Sequence, residues 1–599
     1  MGDKKIKGIP YGVSGYEDIR KKNFYYVDKT AYLPILEDTG QYLFFIRPRR
    51  FGKSLLLSMM QKYYDIHHKG RFEELFGGTW IYNHPTNERG QYLVLAFNFS
   101  VVSPDPNMVE LNFLEYIRGI TSEFIRKYRV LLSGNKTVNE YLQSIKKSSS
   151  AADVMVKLIL LLQSVQQKVY VFIDEYDNFA NTILTTIGES AYHNLTHGDG
   201  FLRAFFNVLK AGTGDDATPI SRLFITGVSP ITMDDVTSGF NIGKNVSLNS
   251  NLNQMLGFTH RDVEIMMNYY GVADKIRYDS ALLMDIMTQW YGNYLFSGSE
   301  DVTLFNSDMV LYYIDQCLME KKMPDDLVDR NVRIDYGKLK HLIVVDRRGD
   351  QLPTTNGNFS KLKQIIEEGS TLSKIASGFP LKELLDTDNF KSLLFYFGLL
   401  TIKGRERNRY RLQIPNESVR RLYYDYIEKA YQETGVFSLN LSKYADLMDG
   451  MAYDGLWQPL FQFVLGQMKV SMRLRDLITG EKSIQAFLNV YLGLSDFYII
   501  HSEKELNKGY ADLVLEPFLG KYNDIRYAYL LEIKYVKAGL KADDDLVTLS
   551  KAQAEAQLRR YAMDDTFAKS IGKTMLIKLA LVFSGHEVVY IDQVRDILI

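Results

Sequence analysis

The chain has 599 residues, of which 46% are hydrophobic and 24% are charged, and its formal net charge is −1. This near-neutral balance excludes a protein that attracts nucleic acid through an overall basic field, so any such contact must come from local patches. A single cysteine, Cys317, excludes an internal disulfide framework and indicates a reducing compartment. No apolar run approaches the ~18 residues of a membrane helix, and the N-terminal residues lack the apolar core of a signal peptide. We therefore expect a cytoplasmic protein of several domains with no membrane segment.

The first chemical motif follows an apolar run, Tyr42–Ile46, that is predicted to be a strand, and it leads into a predicted helix. Gly52-Lys53-Ser54 stands where a phosphate-binding loop has glycine, lysine and a serine or threonine. In such a loop the glycine lets the backbone curl under a phosphate, the lysine reaches the outer phosphates and the hydroxyl binds Mg²⁺. The first glycine of the motif falls on Arg47, so on the residues alone a chance tripeptide at a helix start stays open.

Two later apolar runs, Val169–Ile173 and Arg222–Thr226, are predicted strands separated by helical stretches, as in a parallel sheet with crossover helices. Asp174 follows the first run and is predicted to hold Mg²⁺ and its water shell. Glu175 is predicted to orient and deprotonate the attacking water. Thr226 ends the second run and Ser229 follows shortly after, where a polar residue that senses the γ-phosphate is expected. A charged strand end and a hydroxyl that caps a local turn are the alternatives.

These positions together predict a site for ATP and Mg²⁺. The residues predicted to contact the cofactor are Arg50, Phe51, Gly52, Lys53, Ser54, Leu55, Asp174 and Thr226. Ser54 and Asp174 are the predicted Mg²⁺ ligands of this site. Arg47, Arg49 and Arg50 either add positive charge around the triphosphate or pair with carboxylates elsewhere on the domain, and the residue types do not decide between the two.

The middle of the chain is predicted to be helical over residues 256–380, and residues 381–434 then show the pattern of a winged helix. In that second stretch a helix precedes two short predicted strands that are joined by a tight charged turn. The turn, Lys403–Arg411, carries four arginines and a lysine. It is either a contact for phosphate groups that does not read sequence or an ordinary solvated hairpin.

The second chemical motif lies near the C-terminus, where Asp512 and the pair Glu532 and Lys534 fall in two predicted strands. Glu532 and Lys534 are two residues apart and therefore share one face of their strand. If a neighbouring strand brings Asp512 beside Glu532, two adjacent carboxylates favour a bound Mg²⁺ or Mn²⁺. Lys534 would then stabilise the transition state or position the water. Solvated charges at strand ends are the alternative, although this pair lies in an otherwise apolar strand.

Residues 8–296 resemble the AAA-ATPase-like family of P-loop proteins, which is related to the archaeal-type and STAND-type ATPases. The matching segments are Gly8–Gly12, Tyr26–Lys29, Arg47–Ser54, Phe172–Asp177, Gly227–Pro230 and Trp290–Phe296. That family has Arg-Pro-Arg-Arg-Phe before its Gly-Lys-Ser, so the resemblance implies that Arg47 is a trait of the lineage. It also implies that Lys53 and Ser54 bind phosphate and Mg²⁺, and that Glu175 is the base.

Residues 480–599 resemble the PD-(D/E)XK nuclease superfamily, in the subgroup commonly fused behind this ATPase-like domain. The resemblance rests on Asp512, on Glu532–Lys534 and on the following helix, Gln553–Tyr561. It implies that Asp512, Glu532 and Lys534 are catalytic and that Gln557 is the helix glutamine of the site. It also implies that Glu481, on the helix before the first strand, joins Asp512 and Glu532 as a metal ligand.

The predicted fold class is α/β, with a P-loop parallel sheet, a helical and winged-helix middle and a restriction-endonuclease-like C-terminal domain. The predicted domains are residues 1–255, 256–380, 381–434 and 435–599. The leading functional hypothesis is a nuclease that is regulated by ATP and cleaves DNA or RNA. The competing hypothesis is a nucleotide-switched scaffold whose nuclease-like domain binds without cutting. A second copy of the chain is a further partner to consider.

Overall fold

The computed structural model arranges the chain in two compact units. The first unit comprises Met1–Ser280, Met287–Lys338 and Leu372–Pro415, and the second comprises Ala281–Ile286, Leu339–Thr371 and Asn416–Ile599. The structure describes residues 6–105, 107–132, 138–186, 189–196, 200–214, 218–231, 242–332, 345–346, 354–355, 357–384, 386–433, 440–470 and 480–595.

The secondary-structure elements are numbered here in chain order. The helices are α1 Tyr16–Lys21, α2 Tyr32–Thr39, α3 Lys53–Tyr64, α4 Phe72–Phe76, α5 Trp80–Asn83, α6 Val109–Lys127, α7 Val138–Lys146, α8 Ala151–Ser164, α9 Asn178–Thr186, α10 Glu189–Thr196, α11 Phe201–Ala211, α12 His260–Tyr270, α13 Val272–Ile276, α14 Ser280–Tyr291, α15 Ser307–Glu320, α16 Gly357–Glu368, α17 Thr387–Tyr396, α18 Glu417–Glu433, α19 Leu441–Asp454, α20 Trp457–Val470, α21 Glu481–Leu492, α22 Asp545–Tyr561 and α23 Asp565–Ser570. The strands are β1 Tyr42–Ile46, β2 Leu93–Asn98, β3 Val169–Asp174, β4 Ile220–Gly227, β5 Lys244–Asn245, β6 Phe258–Thr259, β7 Leu304–Phe305, β8 Val345–Asp346, β9 Thr354–Thr355, β10 Ser370–Ser373, β11 Thr401–Glu406, β12 Arg409–Gln413, β13 Tyr498–Leu506, β14 Gly509–Pro517, β15 Tyr527–Val536, β16 Met575–Ser584 and β17 Glu587–Gln593.

The first unit is built on a five-stranded sheet in the order β2-β3-β4-β1-β5, in which every described pairing is parallel. The register pairs Phe45 with Thr226 and Asn98 with Asp174. The carboxyl ends of β1, β3 and β4 therefore meet at one edge of the sheet, which is where ligands bind in open α/β sheets. The predicted parallel sheet is confirmed.

The central strands of this sheet are buried along their length because helices cover both faces. Every residue of β3 is buried, including its terminal Asp174. Helix α3, which leaves the end of β1, packs against β2 and β3, and α6 packs against β2 and α8. Phe97, Phe113 and Phe205 join β2, α6 and α11 through aromatic contacts. This packing gives the sheet edge a rigid support.

Two small antiparallel pairs extend the first unit beyond the parallel sheet. Strands β6 and β7 pair through Phe258 with Phe305. Strands β11 and β12 form a hairpin, and β10 joins β12 to complete a three-stranded sheet. The helix, strand and turn predicted within residues 381–434 are observed as α17, β11 and the turn before β12. The winged-helix description of this region stays a prediction.

The second unit is built on a mixed sheet in the order β13-β14-β15-β16-β17. The pairings are antiparallel except for β15 with β16, which run parallel. Helix α22 connects these two parallel strands and packs against both. Its buried Leu558 and Tyr561 join Val514 and Leu530 of the sheet in one apolar core. This arrangement places β14 and β15, the strands that carry the second motif, beside each other.

The two strands predicted to carry Asp512 and Glu532 appear as β14 and β15. Strand β13, Tyr498–Leu506, precedes them at one edge of the sheet. Strand β17, Glu587–Gln593, is an additional edge strand. The predicted limits of the four domains stay predictions, and the limit between residues 434 and 435 lies outside the described residues.

Candidate functional sites

The first site is the loop between β1 and α3, residues 47–52, which is called the phosphate loop below. Gly52 has φ +97° and Arg50 has φ +67°, so the chain turns through two left-handed residues just before the helix. The nearest atom to a Cβ added at Gly52 lies at 3.8 Å. Glycine is therefore favoured here by the backbone angle rather than by lack of space. The turn leaves the N–H groups of the first turn of α3 open to an anion.

Lys53 and Ser54 take the positions that the motif predicts. The Lys53 side chain is only 6% exposed, and its Nζ donates to the carbonyl oxygens of Arg47 at 3.0 Å and Pro48 at 2.9 Å. Burial lowers the pKa of the Lys53 ammonium, although the nearby carboxylates of Glu175 and Asp174 act in the opposite direction. The ammonium is thus held against the loop itself.

The end of β3 brings the two predicted carboxylates to this loop. The Ser54 hydroxyl donates to Oδ2 of Asp174 at 2.6 Å, which joins the two predicted Mg²⁺ ligands directly. Burial raises the pKa of the Asp174 carboxyl. The next residue, Glu175, has φ +50°, and its Oε2 accepts from Asn178 at 2.5 Å. A left-handed non-glycine residue is typical of functional sites, because the surrounding structure must hold it in place.

The two hydroxyls at the end of β4 differ in their surroundings. Thr226 is 1% exposed, and within the part of the chain that the structure describes its Oγ1 has no hydrogen-bond partner. Ser229 instead serves a local turn, since its hydroxyl accepts from the backbone N–H of Ile231 at 3.3 Å and its own N–H donates to Asp177 at 2.6 Å. The local-cap alternative therefore describes Ser229, and Thr226 keeps an unused hydroxyl beside the Asp174 strand.

Arg47 takes neither of the two roles considered from sequence. Its side chain is 1% exposed and lies between the rings of Phe45 and Phe296, each 4.4 Å from the guanidinium carbon. Nη1 donates to the carbonyl oxygens of Ser247 at 2.5 Å and Ile46 at 3.1 Å. Burial lowers the pKa of Arg47 to about 9. Arg47 therefore anchors the loop from behind and does not face a phosphate.

Arg50 follows the second of the two alternatives, pairing with carboxylates. Its Nη1 lies 2.7 Å from Oδ2 of Asp308 and 3.9 Å from Oδ2 of Asp329. Asp308 belongs to the first turn of α15, and its backbone N–H donates to the Arg50 carbonyl at 3.3 Å. The phosphate loop is therefore fastened to α15 by both backbone and side-chain bonds.

A cleft of about 440 Å³ opens in front of the phosphate loop, a volume in the range of nucleotide-sized ligands. All six predicted cofactor-binding residues from Arg50 to Leu55 line it, together with Arg49 and Glu175, whereas Asp174 and Thr226 lie outside the lining. The cleft also has walls that sequence reasoning missed, and they come from the N-terminal segment, from the region after β5, and from α12 and α15. They include Val13, Tyr25, Val27, Leu256, Phe258, Met266 and Asp308.

Restoring the consensus glycine at Arg47 is expected to weaken the fold and not to improve nucleotide binding. Arg47→Gly removes two ring contacts and three backbone hydrogen bonds and leaves a cavity. We expect the free energy of unfolding to fall by about 2–4 kcal/mol. Thermal and urea unfolding would measure this loss. The matched variant Arg49→Gly, changed at a half-buried position in the same loop, should lose much less, and equal losses would contradict the anchoring role.

The second site joins β14 and β15 of the second unit. Leu513 pairs with Leu531 in the antiparallel register, which places Asp512 beside the Glu532–Ile533 peptide. The backbone N–H of Ile533 donates to Oδ2 of Asp512 at 2.7 Å. As the sequence predicts, a neighbouring strand places Asp512 beside Glu532.

Glu532 is the most buried charged group of this site, with 1% of its side chain exposed. Lys534 Nζ donates to its Oε1 at 2.7 Å. Its other oxygen, Oε2, is buried, and the structure gives that atom no hydrogen-bond partner among the described residues. Burial raises the pKa of Glu532, while Lys534 acts in the opposite direction. A buried carboxylate oxygen without a donor costs free energy unless a cation or proton satisfies it.

The pKa of Asp512 is also raised. Burial and the neighbouring Glu532 raise its pKa to about 7, with a smaller contribution from Glu481, whereas the Ile533 N–H acts in the opposite direction. Burial alone would lower the pKa of Lys534, but the ion pair with Glu532 and the field of Asp512 leave it above its ordinary value. The cluster therefore combines excess negative charge with one ammonium.

Two residues assigned by resemblance lie on the helices α21 and α22. Glu481, the first residue of α21, contributes to the raised pKa values of Asp512 and Glu532. The described residues contain no group of three His, Cys, Asp or Glu side chains close enough to hold a metal, so the role of Glu481 as a third ligand stays a prediction. One turn later on the same helix, Gln485 donates to the Asp512 carbonyl at 2.5 Å. Gln557 donates to the Tyr561 hydroxyl at 3.4 Å.

Gln485 is a site residue that sequence reasoning missed. It lies four residues after Glu481, which is the helical spacing that places both side chains on one face. The spacing from Glu481 could therefore have indicated Gln485 as a residue of this site. The site thus offers the carboxylates of Asp512 and Glu532, and Oε2 of Glu532 has no hydrogen-bond partner among the described residues. Carboxylate oxygens are the ligands that Mg²⁺ and Mn²⁺ prefer, so the residues present fit a divalent cation.

Comparison with known proteins identifies both regions. The family described as "Predicted AAA-ATPase" matches residues 10–237, and the family described as "PD-(D/E)XK nuclease superfamily" matches residues 479–593. A protein of Azotobacter chroococcum mcd 1, described as an uncharacterized protein in the vnfD 5' region, is 23% identical over 428 residues. That alignment covers 69% of this chain and 68% of the relative. Among the described helices, none is long and apolar enough to cross a membrane.

Proposed function

We propose that this chain, which carries a predicted AAA-ATPase domain and a PD-(D/E)XK nuclease superfamily domain, is a nuclease controlled by ATP. Its domain families support a nucleotide-hydrolysing and nuclease-like function. The observation that carries the nuclease half is the buried, unpartnered Oε2 of Glu532 beside Asp512 and Lys534. A buried carboxylate oxygen without a donor costs free energy unless a cation or proton satisfies it, and among the described residues Glu532 Oε2 is the one carboxylate oxygen in that position.

The ATPase half is supported by the geometry of the phosphate loop. Lys53 is held at the loop by two carbonyl oxygens and reaches the outer phosphates from there. Ser54 and Asp174 would hold Mg²⁺, which neutralises the phosphate charge when bound. Glu175, next to Asp174 and oriented by Asn178, is the proposed base for the attacking water.

In the nuclease half, Asp512 and Glu532 would hold a Mg²⁺ or Mn²⁺ ion, which polarises the scissile phosphate and lowers the pKa of a water when bound. Lys534 keeps its proton beside these carboxylates and presents positive charge where the phosphate oxyanion develops. Gln485 fixes the backbone of Asp512 from the helix side. These assignments require DNA or RNA as the substrate class.

Control by ATP is supported by the way the phosphate loop is attached. The Arg50 guanidinium bonds to Asp308 and its carbonyl accepts from the Ser307 hydroxyl at 3.2 Å, so loop and α15 move together. A triphosphate in the cleft offers Arg50 a second anionic partner. Competition between Asp308 and the phosphates would then change the position of α15 with nucleotide state.

The test is cleavage of labelled DNA and RNA by the full chain with Mg²⁺ or Mn²⁺, in the presence of ATP, a slowly hydrolysed ATP analogue, ADP or no nucleotide. We expect metal-dependent cleavage whose rate changes with the nucleotide. Absence of cleavage under every condition, with substrate binding retained, would instead support a nucleotide-switched scaffold. One contact favours that second function: Lys534 already neutralises Glu532 at 2.7 Å without a cation.

Binding of Mn²⁺ to the nuclease site is expected to weaken as the pH falls below about 7. The pKa of Asp512 is raised to about 7, so its carboxylate is ionised above that pH and protonated below it. A cation binds the ionised form only, and the proton must leave. The apparent affinity should therefore fall about tenfold per pH unit below pH 7 and level off above it.

This pH dependence is measured by isothermal titration calorimetry with Mn²⁺ in ATP-free buffers that differ in ionisation enthalpy, which also counts the released proton. Asp543→Asn, at an exposed position of the same unit, should leave the curve unchanged. An affinity that stays constant from about pH 6 to about pH 8 would contradict the assignment of Asp512 as a ligand.

A further inference from the structure

The tip of the β11–β12 hairpin concentrates basic side chains at the surface of the first unit. Arg411 is paired with Glu406 at 2.5 Å. The other basic residues are exposed, and among the residues that the structure describes none has a carboxylate within ion-pair distance; they are Lys403, Arg405, Arg407 and Arg409. Elsewhere many exposed basic residues do have such a partner, for example Lys21 with Glu17.

The backbone presents these charges as a projecting turn. Glu406 pairs with Arg409, so only Arg407 and Asn408 connect the two strands. Arg407 adopts φ +55°, an angle that glycine would adopt at lower cost. The Arg405 guanidinium carbon lies 6.0 Å from the Tyr410 ring centre, and its Nε donates to the Arg407 carbonyl at 3.1 Å. The hairpin therefore carries four exposed cations within seven residues, Lys403 to Arg409, on a short turn.

The base of this hairpin is bonded to the segment that supports the phosphate loop. The backbone N–H of Leu295 donates to the Thr401 hydroxyl at 2.7 Å. The next residue, Phe296, packs on Phe51 of the loop with ring centres 5.4 Å apart and also stacks on Arg47. Thr401 of β11 is thus linked through Leu295 and Phe296 to Phe51, the residue before Gly52.

A second, independent contact joins the same two regions. A Cβ added at Gly398, just before β11, would lie 2.8 Å from Pro48 of the phosphate loop, and Gly398 has φ +74°. At the other strand, a Cβ at Gly298 would lie 2.3 Å from the Tyr410 ring. The residues at the base of the hairpin therefore pack directly on the phosphate loop, and close-packed contacts of this kind transmit displacement.

We propose that the β11–β12 hairpin binds the phosphate backbone of nucleic acid and that its affinity follows the nucleotide held by the phosphate loop. The identity of the polyanion rests on the proposed nuclease function. Guanidinium groups bind phosphates bidentately, and neighbouring cations match the repeated charge of a nucleic-acid strand. No base-stacking platform accompanies the exposed arginines on the hairpin tip, where Tyr410 is half-buried. The hairpin therefore contacts backbone and does not read sequence.

The test compares the hairpin variant Arg405→Gln/Arg407→Gln/Arg409→Gln with a matched control of the same unit, Arg126→Gln/Lys146→Gln/Lys147→Gln. The control removes the same number of exposed positive charges from the end of α6 and from α7 and the residue after it. Binding of fluorescein-labelled duplex DNA and single-stranded RNA to the full chains is followed by fluorescence anisotropy in EDTA across a salt series.

We expect the hairpin variant to bind at least about tenfold more weakly than the wild type, and the slope of log affinity against log salt to shrink by about 2–3. The control should keep wild-type affinity and slope. Equal affinities for hairpin variant and control would overturn the proposal. So would a wild type that binds poly-glutamate as tightly as DNA through the same arginines, because the partner would then be an acidic protein.

The nucleotide arm repeats the measurement with Mg²⁺ and ATP, with Mg²⁺ and ADP, and without nucleotide, in an Asp512→Asn background so that the probe stays intact. We expect a change in affinity of at least about fivefold between nucleotide states. Identical affinities in all three states would overturn the coupling.

Failure of the nuclease proposal gives a different pattern from failure of the hairpin proposal. If the full chain binds DNA or RNA through the hairpin and never cleaves it, the nuclease proposal is wrong and the hairpin site stands. If the hairpin variant binds and cleaves like the wild type, the hairpin proposal is wrong and the nuclease stands.

Discussion

Asp512→Asn is expected to abolish cleavage and at the same time to stabilise the second unit. The asparagine keeps the shape of the side chain and an oxygen that can accept from the Ile533 N–H. It removes one of the two carboxylates that the proposed cation needs, so the cleavage rate should fall at least about a hundredfold. It also removes a buried carboxylate whose pKa is raised by burial and by the neighbouring Glu532.

The stabilisation has a defined pH dependence. Because the folded-state pKa of Asp512 is about 7 and lies above its ordinary value of 3.8, ionisation favours the unfolded chain. The wild type therefore loses stability as the pH rises from about 4 to about 7. The asparagine variant has no carboxyl at this position to ionise and does not share that loss. Because a pKa change from 3.8 to about 7 corresponds to about 4 kcal/mol, the variant should gain up to about 4 kcal/mol above pH 7 and nothing below about pH 4.

Urea unfolding at a series of pH values in EDTA measures the gain, and cleavage of labelled substrate with Mn²⁺ measures the rate. Asp543→Asn, an exposed aspartate of the same unit, serves as the control and should change neither quantity. A variant that loses activity together with stability would show that Asp512 supports the fold, which would contradict the proposed role. A variant that cleaves at the wild-type rate would contradict it as well.

Lys53→Ala is expected to lower the affinity for ATP at least about a hundredfold and to remove the effect of ATP on cleavage. The Lys53 ammonium is buried and lies in the field of Glu175 and Asp174, and no other lysine of α3 lines that cleft. Alanine leaves the helix intact because it is a strong helix former. Cleavage without nucleotide should be unchanged, since the nuclease residues lie in the other unit.

Calorimetric titration with ATP and the cleavage assay with and without ATP check this prediction. The control is Lys62→Ala on the same helix. The Lys62 Nζ lies 2.7 Å from Oε2 of Glu17, and neither residue lines the cleft. It should retain full ATP affinity. Wild-type affinity in Lys53→Ala, or cleavage that stays sensitive to ATP, would contradict the assignment of the loop as the control site.

Much of the fold follows from patterns that are local in sequence. The buried strands β1, β3 and β4 were predictable because unbroken apolar runs such as Val169–Ile173 read clearly between helical stretches. Strand β17 was not, since Glu587–Gln593 mixes polar and apolar residues and is only partly buried at a sheet edge. Edge strands owe their pairing to a neighbour that lies elsewhere in the chain, so local pattern carries little signal for them.

The site residues divide in the same way. Ser54 with Asp174, and Asp512 with Glu532, were predictable because each lies at a definite position on an element whose partner strand could be inferred. The role of Arg47 was not, because it depends on Phe296, which lies far along the chain and closes over the guanidinium only in the folded state. Asp308, Val13 and Met266 were not predictable for the same reason, since they reach the cleft only when distant parts of the chain fold together.

The anchoring of Arg47 has a consequence for the thermodynamics of ligand capture. A glycine-rich loop is free in many conformations and must give up that freedom when a phosphate arrives, at roughly 1–2 kcal/mol for each residue ordered. Here the backbone carbonyls of Ile46, Ser247 and Leu252 and two aromatic rings already hold the loop from its inner side. Association with nucleotide therefore begins from an ordered receptor, and its entropy cost falls mainly on the ligand and the displaced water.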